Sequence, residues 1–192
     1  GPIAQAYRGW IAGQRGQLPT GPRREVAETL LLNAERANRR IDDGLRALDD
    51  PHVLDAFRLA NRAVATAIRQ RGGHAPGSAR PENQPPPTWR PFQLAFLVMN
   101  LCGTADPAHE DRGVVDLLFF PTGGGKTEAY LGLAAFAMFL RRLRDPSVRS
   151  AGLTVLMRYT LRLLTLDQLG RAATLVCAME LMRQQEDRKS VV

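Results

Sequence analysis

The residues best able to do chemistry stand in one short run, Pro121-Thr122-Gly123-Gly124-Gly125-Lys126-Thr127-Glu128. Three successive glycines lack a Cβ, so the backbone can take dihedrals that other residues avoid and can curl its N–H groups around an anion. Lys126 adds a compact ammonium on a flexible stem, and Thr127 adds a hydroxyl suited to a hard divalent cation. Such a set fits a polyphosphate with Mg2+. The ammonium would reach the β- and γ-phosphates and the Thr127 hydroxyl would be the metal ligand, which makes Lys126 and Thr127 the candidate catalytic residues. The chain writes nearly every cation as Arg and has just one other lysine, Lys189, so a lysine here is informative.

The pattern is that of an ATP-binding phosphate loop, G-x-x-x-x-G-K-[ST], with Phe120 in place of the opening glycine. A loop of this kind sits between a strand and a helix, and the flanking residues predict both. Val114 to Phe120 is a short apolar, β-prone run of the type found in buried parallel strands. Lys126 to about Arg144 predicts an apolar helix, ended by Asp145-Pro146. Leu153 to Arg158 then predicts a second buried strand, and Leu161 to about Gln185 a second helix. Strand, helix, strand, helix is the start of a parallel α/β sheet, so the expected class is an α/β P-loop NTPase.

Upstream, Val26, Leu30, Ala34, Ala37, Ile41, Leu45 and Leu48 step by three and four and predict a helix from Arg23 to Asp49. Asp50-Pro51 offers an N-cap followed by Pro at the first helical position, and Val53, Phe57, Ala60, Val64 and Ile68 continue the period to about Arg71. With so few residues between them, the two helices are expected to pack as an antiparallel hairpin. Gly72 to Thr88 is rich in Gly, Pro, Ser and Asn and includes Pro85-Pro86-Pro87, a linker composition. The expected organisation is a helical region at 1–71, a linker at 72–88 and an incomplete ATP-binding lobe at 89–192, in which Trp89 to Leu101 is helical and Cys102 to Arg112 a loop.

Composition bounds the rest. An apolar content of 44% allows a true core, and a formal charge of +7 suits a polyanion such as nucleic acid. Cys102 and Cys177 have no metal-like spacing, which indicates neither a zinc site nor a disulfide framework and fits a reducing, cytoplasmic setting. No signal peptide is evident, and the most apolar segment, Ala129 to Leu140, falls short of the ~20 residues a bilayer needs, so no membrane partner is expected. The chain reads as part of something longer.

Two flanking segments resemble superfamily 2 helicases. Trp89-Arg90-Pro91-Phe92-Gln93 resembles the Arg-Pro-aromatic-Gln sequence upstream of the phosphate loop in many such translocases, which implies adenine recognition by Arg90 and Gln93. An amide can donate and accept together, as adenine N6 and N7 require. Val155 to Leu163 resembles motif Ia, which implies contacts to a nucleic-acid backbone by Arg158, Thr160 and Arg162. There Tyr159-Thr160 replaces the usual Pro-Thr. Phe119 to Leu133 with Met157 to Arg171, together with Arg39 to Gly44 and Phe57 to Arg62, resembles the helicase-related DrmA family of the bacterial DISARM phage-defence system, over about Asn33 to Met182. That resemblance implies a RecA-like motor lobe driven by ATP and Mg2+, a DNA substrate, and a DrmB-like partner subunit.

Superfamily 2 motors also need a carboxylate pair after a later strand and arginine fingers from a second lobe. The acidic pairs Asp42-Asp43, Asp49-Asp50, Glu110-Asp111 and Glu186-Asp187 follow no predicted strand and read as helix faces, turns or caps. This stretch alone is therefore expected to bind nucleotide without completing hydrolysis. Two other readings compete: a P-loop NTPase or kinase that does not act on nucleic acid, and a nucleotide-binding adaptor without activity.

Overall fold

Apolar residues stepping by three and four along the chain become helices, and helices make up the regular structure. The structure is a computed structural model that describes residues 1–73, 77–119, 121, 123–158 and 162–190, without the side chains of 162–165 and 186–190. In chain order the helices are α1 (Pro2–Arg15), α2 (Arg23–Ala47), α3 (Pro51–Gly73), α4 (Pro91–Met99), α5 (Leu101–Ala105), α6 (Lys126–Arg144) and α7 (Arg162–Ser190). Single 3-10 turns lie at Pro81–Asn83, Glu110–Gly113 and Val148–Ser150.

The start of α3 is set as its sequence predicts. The Asp50 carbonyl accepts the first helical bond, from Leu54 N–H at 2.9 Å, and its carboxylate accepts from His52 N–H at 2.8 Å. Burial pushes the Asp50 carboxyl up, but the backbone donors of His52 and Val53 and the Arg144 guanidinium outweigh it and leave the group below its ordinary value.

The expected hairpin of α2 on α3 does not form. Instead α2 packs against α1 and α4, while α3 packs against α6 and α7. The reason lies in which faces are small. Ala56, Ala60, Ala63 and Ala67 make a fully buried stripe along α3, and the facing α6 fills it with Leu131, Phe136 and Leu140. Burying a side chain such as Phe136, which has no exposed surface, contributes about 1.5–3 kcal/mol. On α2 the close approach is at Gly44, where a Cβ would meet the Val98 carbonyl oxygen of α4 at 1.9 Å. Ala4, Ile41 and Val98 form a second, smaller core on that side. The helices before and after the linker therefore share one main core.

The expected α/β class, an incomplete RecA-like parallel sheet, is not what forms. Among the described residues there is no strand: 114–119 and 153–158 carry no regular secondary structure, and Phe120, the last residue of the first predicted strand, lies outside the described residues. Val115, Leu117 and Phe119 stand 93%, 87% and 87% exposed, as do Leu153 and Leu156 at 78% and 81%. Alternating apolar residues specify an extended backbone but not the neighbour about 4.8 Å away that a ladder needs. Other groups take up these segments. Arg141 of α6 donates to the carbonyls of Ala151 (2.9 Å) and Leu153 (2.9 Å) and to the Thr154 hydroxyl (3.0 Å). Arg40 of α2 holds Asp116 with two bonds, at 2.6 and 2.8 Å, and Asp111 at 3.1 Å. The Arg141 bonds satisfy two backbone carbonyls that would otherwise need partners, and the Arg40 bonds tether the first segment through its Asp116 side chain.

Candidate functional site

Gly123 and Gly125 have φ of +80° and +86°, the left-handed region that glycine enters without strain. Gly124 N–H donates to the Pro121 carbonyl at 3.1 Å and closes the turn, and α6 starts at the next residue after Gly125. The helix thus places its positive N-terminal end at the loop. Lys126 Nζ donates to the same Pro121 carbonyl at 3.0 Å, so its ammonium lies over the loop. The Thr127 hydroxyl sits 3.5 Å from that of Tyr130. Phe120 and Thr122 lie outside the described residues.

The N-cap and first turn of α4 brace the loop from behind. Arg90 Nη1 donates to the Gly124 carbonyl at 2.8 Å, and Gln93 Nε2 donates to the Gly125 carbonyl at 2.7 Å. In a planar trans peptide the N–H points opposite to the C=O, so fixing these two carbonyls turns the N–H groups of Gly125 and Lys126 the other way. Gln93 itself is positioned by Arg90 N–H, which donates to Gln93 Oε1 at 2.8 Å, half of a capping box at the start of α4. The fit is close: a Cβ on Gly125 would come within 2.7 Å of Gln93 Nε2. Trp89 continues the brace, donating its indole N–H to Asn61 of α3 and lying over Gly132, where a Cβ would meet the ring at 2.9 Å. The predicted Arg90 and Gln93 are therefore brought to the loop. Gln93 uses one donor and one lone pair there, which leaves its amide a second donor and a second lone pair.

Loop, brace, α3 and the start of α7 enclose a cleft of about 1250 Å3. One wall carries an ion-pair bridge that the sequence did not show, centred on the predicted Glu128. Glu128, two residues into the helix beyond Lys126, accepts on Oε1 from Arg171 of α7 at 2.8 Å and from Arg71 of α3 at 3.2 Å. Arg171 Nε also donates to Asp167 at 2.9 Å. Arginines on a helix face give no sequence signal of what they oppose, because the partner here is 57 residues from Arg71 and 43 from Arg171.

Of the predicted nucleic-acid residues, Arg158 is exposed at the end of the second segment predicted as a strand and borders a smaller recess with Tyr130, Ala134 and Val155. Tyr130 also borders the main cleft, so the two openings meet at that side chain. Thr160 and the side chain of Arg162 lie outside the described residues. A metal ion would find few protein ligands: among the described residues no group of three His, Cys, Asp or Glu side chains could hold one. The Thr127 hydroxyl offers one neutral oxygen, which fits Mg2+ carried in on phosphate oxygens rather than held by a protein cage. No described helix is long and apolar enough to cross a membrane.

Chemically, the arrangement is a cationic cleft with a glycine loop at a helix start, able to hold a phosphate-bearing anion. No family model matches the chain. It is similar to the DISARM protein DrmA of Bacillus paralicheniformis, 37% identical over 198 residues that take in 95% of this chain and 17% of that protein. The chain is thus DrmA-like along nearly its whole length while spanning about one sixth of the length of that relative.

Proposed function

We propose that the chain is the nucleotide-binding part of an ATP-dependent DNA helicase or translocase acting in DISARM phage defence with a DrmB-like partner. The observation that carries this reading is the braced loop. Arg90 and Gln93 hold the carbonyls of Gly124 and Gly125 outward, leaving the opposite face of the loop and Lys126 for a phosphate. The similarity to a DISARM protein supports the defence role.

In this reading Pro121 to Glu128 line the nucleotide, Lys126 neutralises phosphate charge, and Thr127 presents its hydroxyl to the nucleotide's Mg2+. Bound ATP supplies the phosphoryl bond whose hydrolysis drives movement. The carboxylate that hydrolysis needs comes from outside this stretch. Arg158, Thr160 and Arg162 contact the DNA backbone without reading bases, and the charge of +7 assists. The setting proposed is the cytoplasm. The test is ATP hydrolysis by the full-length protein with and without DNA. Hydrolysis that rises with DNA supports the motor, and hydrolysis indifferent to DNA turns the reading to a P-loop NTPase of another kind.

A further inference from the structure

The bridge of Arg71, Glu128 and Arg171 joins three helices at the edge of the phosphate loop, and its acids are shared unequally between the two arginines. One carboxylate oxygen, Glu128 Oε1, serves both guanidinium groups. Arg171 has a second acid, Asp167, on its Nε. Arg71 has only its share of Glu128 among the described ion pairs, through Nη2 at 3.2 Å, and a guanidinium carries five N–H donors. The other oxygen of Glu128, Oε2, lies against the loop, 3.7 Å from where a Cβ on Gly125 would stand. Arg71 is therefore one carboxylate away from Gly125, in the same cleft as Gly123 to Thr127.

We propose that Arg71, contributed by α3 from the far side of the linker, is a further phosphate-binding residue of the nucleotide site, held on Glu128 until the polyphosphate enters. A guanidinium forms two parallel bonds to phosphate oxygens, which a single shared carboxylate oxygen does not allow. An entering polyphosphate carries more negative charge than Glu128 and offers more acceptors, so Arg71 transfers to it. The main core ties α3 to α6, so α3 becomes a wall of the nucleotide site as well as a support for it. The inference rests on the proposed nucleotide binding at the loop.

The experiment measures Mg-ATP and Mg-ADP affinity of the full-length protein by titration calorimetry for wild type, Arg71→Ala, Arg71→Lys, Glu128→Gln and the double variant Arg71→Ala with Glu128→Gln. Thermal unfolding of each variant reports on folding. Losing a charge-assisted contact weakens nucleotide binding by about tenfold or more in Arg71→Ala, with partial recovery in Arg71→Lys. Glu128→Gln, a change at a residue that itself lines the nucleotide, is the single-variant reference the double-variant cycle needs. The decisive arm is the double variant. A phosphate contact leaves it as weak as Arg71→Ala. If Arg71 serves only to neutralise Glu128, removing both charges restores wild-type affinity, and that result overturns the proposal. Wild type that binds nucleotide while Arg71→Ala binds equally well overturns this inference alone. Wild type that binds no nucleotide overturns it together with the reading of the loop.

Discussion

Arg40 and Asp116 form a two-pronged ion pair, 2.6 and 2.8 Å long, between α2 and the segment that leads into the phosphate loop. The Arg40 side chain is 8% exposed and Asp116 16%, with Asp111 completing the set at 9%. Removing the guanidinium alone would leave the sequestered Asp116 without its cation and Asp111 with the more distant Arg36, at 3.9 Å. Arg40→Ala is expected to lower stability by about 3–5 kcal/mol. Denaturant unfolding of wild type and variant measures this. A loss below about 1 kcal/mol would mean that water reaches the pair and screens it, as at a surface ion pair.

Asp50 gives a pH-dependent expectation. Its folded-state carboxyl lies below the ordinary value, so the folded protein keeps it ionised to lower pH than the unfolded chain does. The stability it contributes is therefore fully present above the ordinary carboxylate range and is lost as pH falls through the lowered folded value. Asp50→Ala should cost about 1 kcal/mol at neutral pH, as loss of a helix N-cap does. The gap in Tm between wild type and variant should shrink below about pH 4. A gap that stays constant into acid would remove the carboxylate from the account of how α3 starts.

These two residues show what the sequence carried and what it did not. Asp50-Pro51 is a local signal, and the start of α3 could be read from it directly. The three-and-four spacing likewise foretold α2 and the apolar run foretold α6, which begins at Lys126 as expected. Partnership across the chain was not legible. Nothing in Arg39-Arg40-Ile41 says that the middle residue opposes Asp116, and Asp111 read as a turn residue although it is nearly buried. The same limit explains the missing sheet. Val115, Leu117 and Phe119 alternate as a strand should, yet pairing is a relation between distant segments that alternation alone does not encode. It also explains the packing of α3, because the Ala56, Ala60, Ala63 and Ala67 stripe specifies a close neighbour without naming α6.

Gln93 is placed to do two things. It braces the Gly125 carbonyl at 2.7 Å, and it keeps a donor and a lone pair that adenine recognition would use. Gln93→Ala should weaken ATP binding by about tenfold or more and weaken GTP binding less, since GTP loses only the brace. Competition titrations with the two nucleotides check this. Equal losses for ATP and GTP would leave Gln93 as the brace alone and end its assignment to adenine.

The glycine loop and Lys126 are proposed to hold a nucleotide polyphosphate. The most direct measurement is the affinity of the full-length protein for Mg-ATP, compared between wild type and Lys126→Ala, with thermal unfolding recorded for both. The Lys126 ammonium lies over the loop, on the Pro121 carbonyl at 3.0 Å, and is outside the buried core, so its removal should leave the fold intact. Such a site gives saturable binding by wild type, at least about tenfold weaker binding by the variant, and matching Tm values in the absence of nucleotide. Equal affinities in two folded proteins, or no binding by wild type, would contradict the proposal.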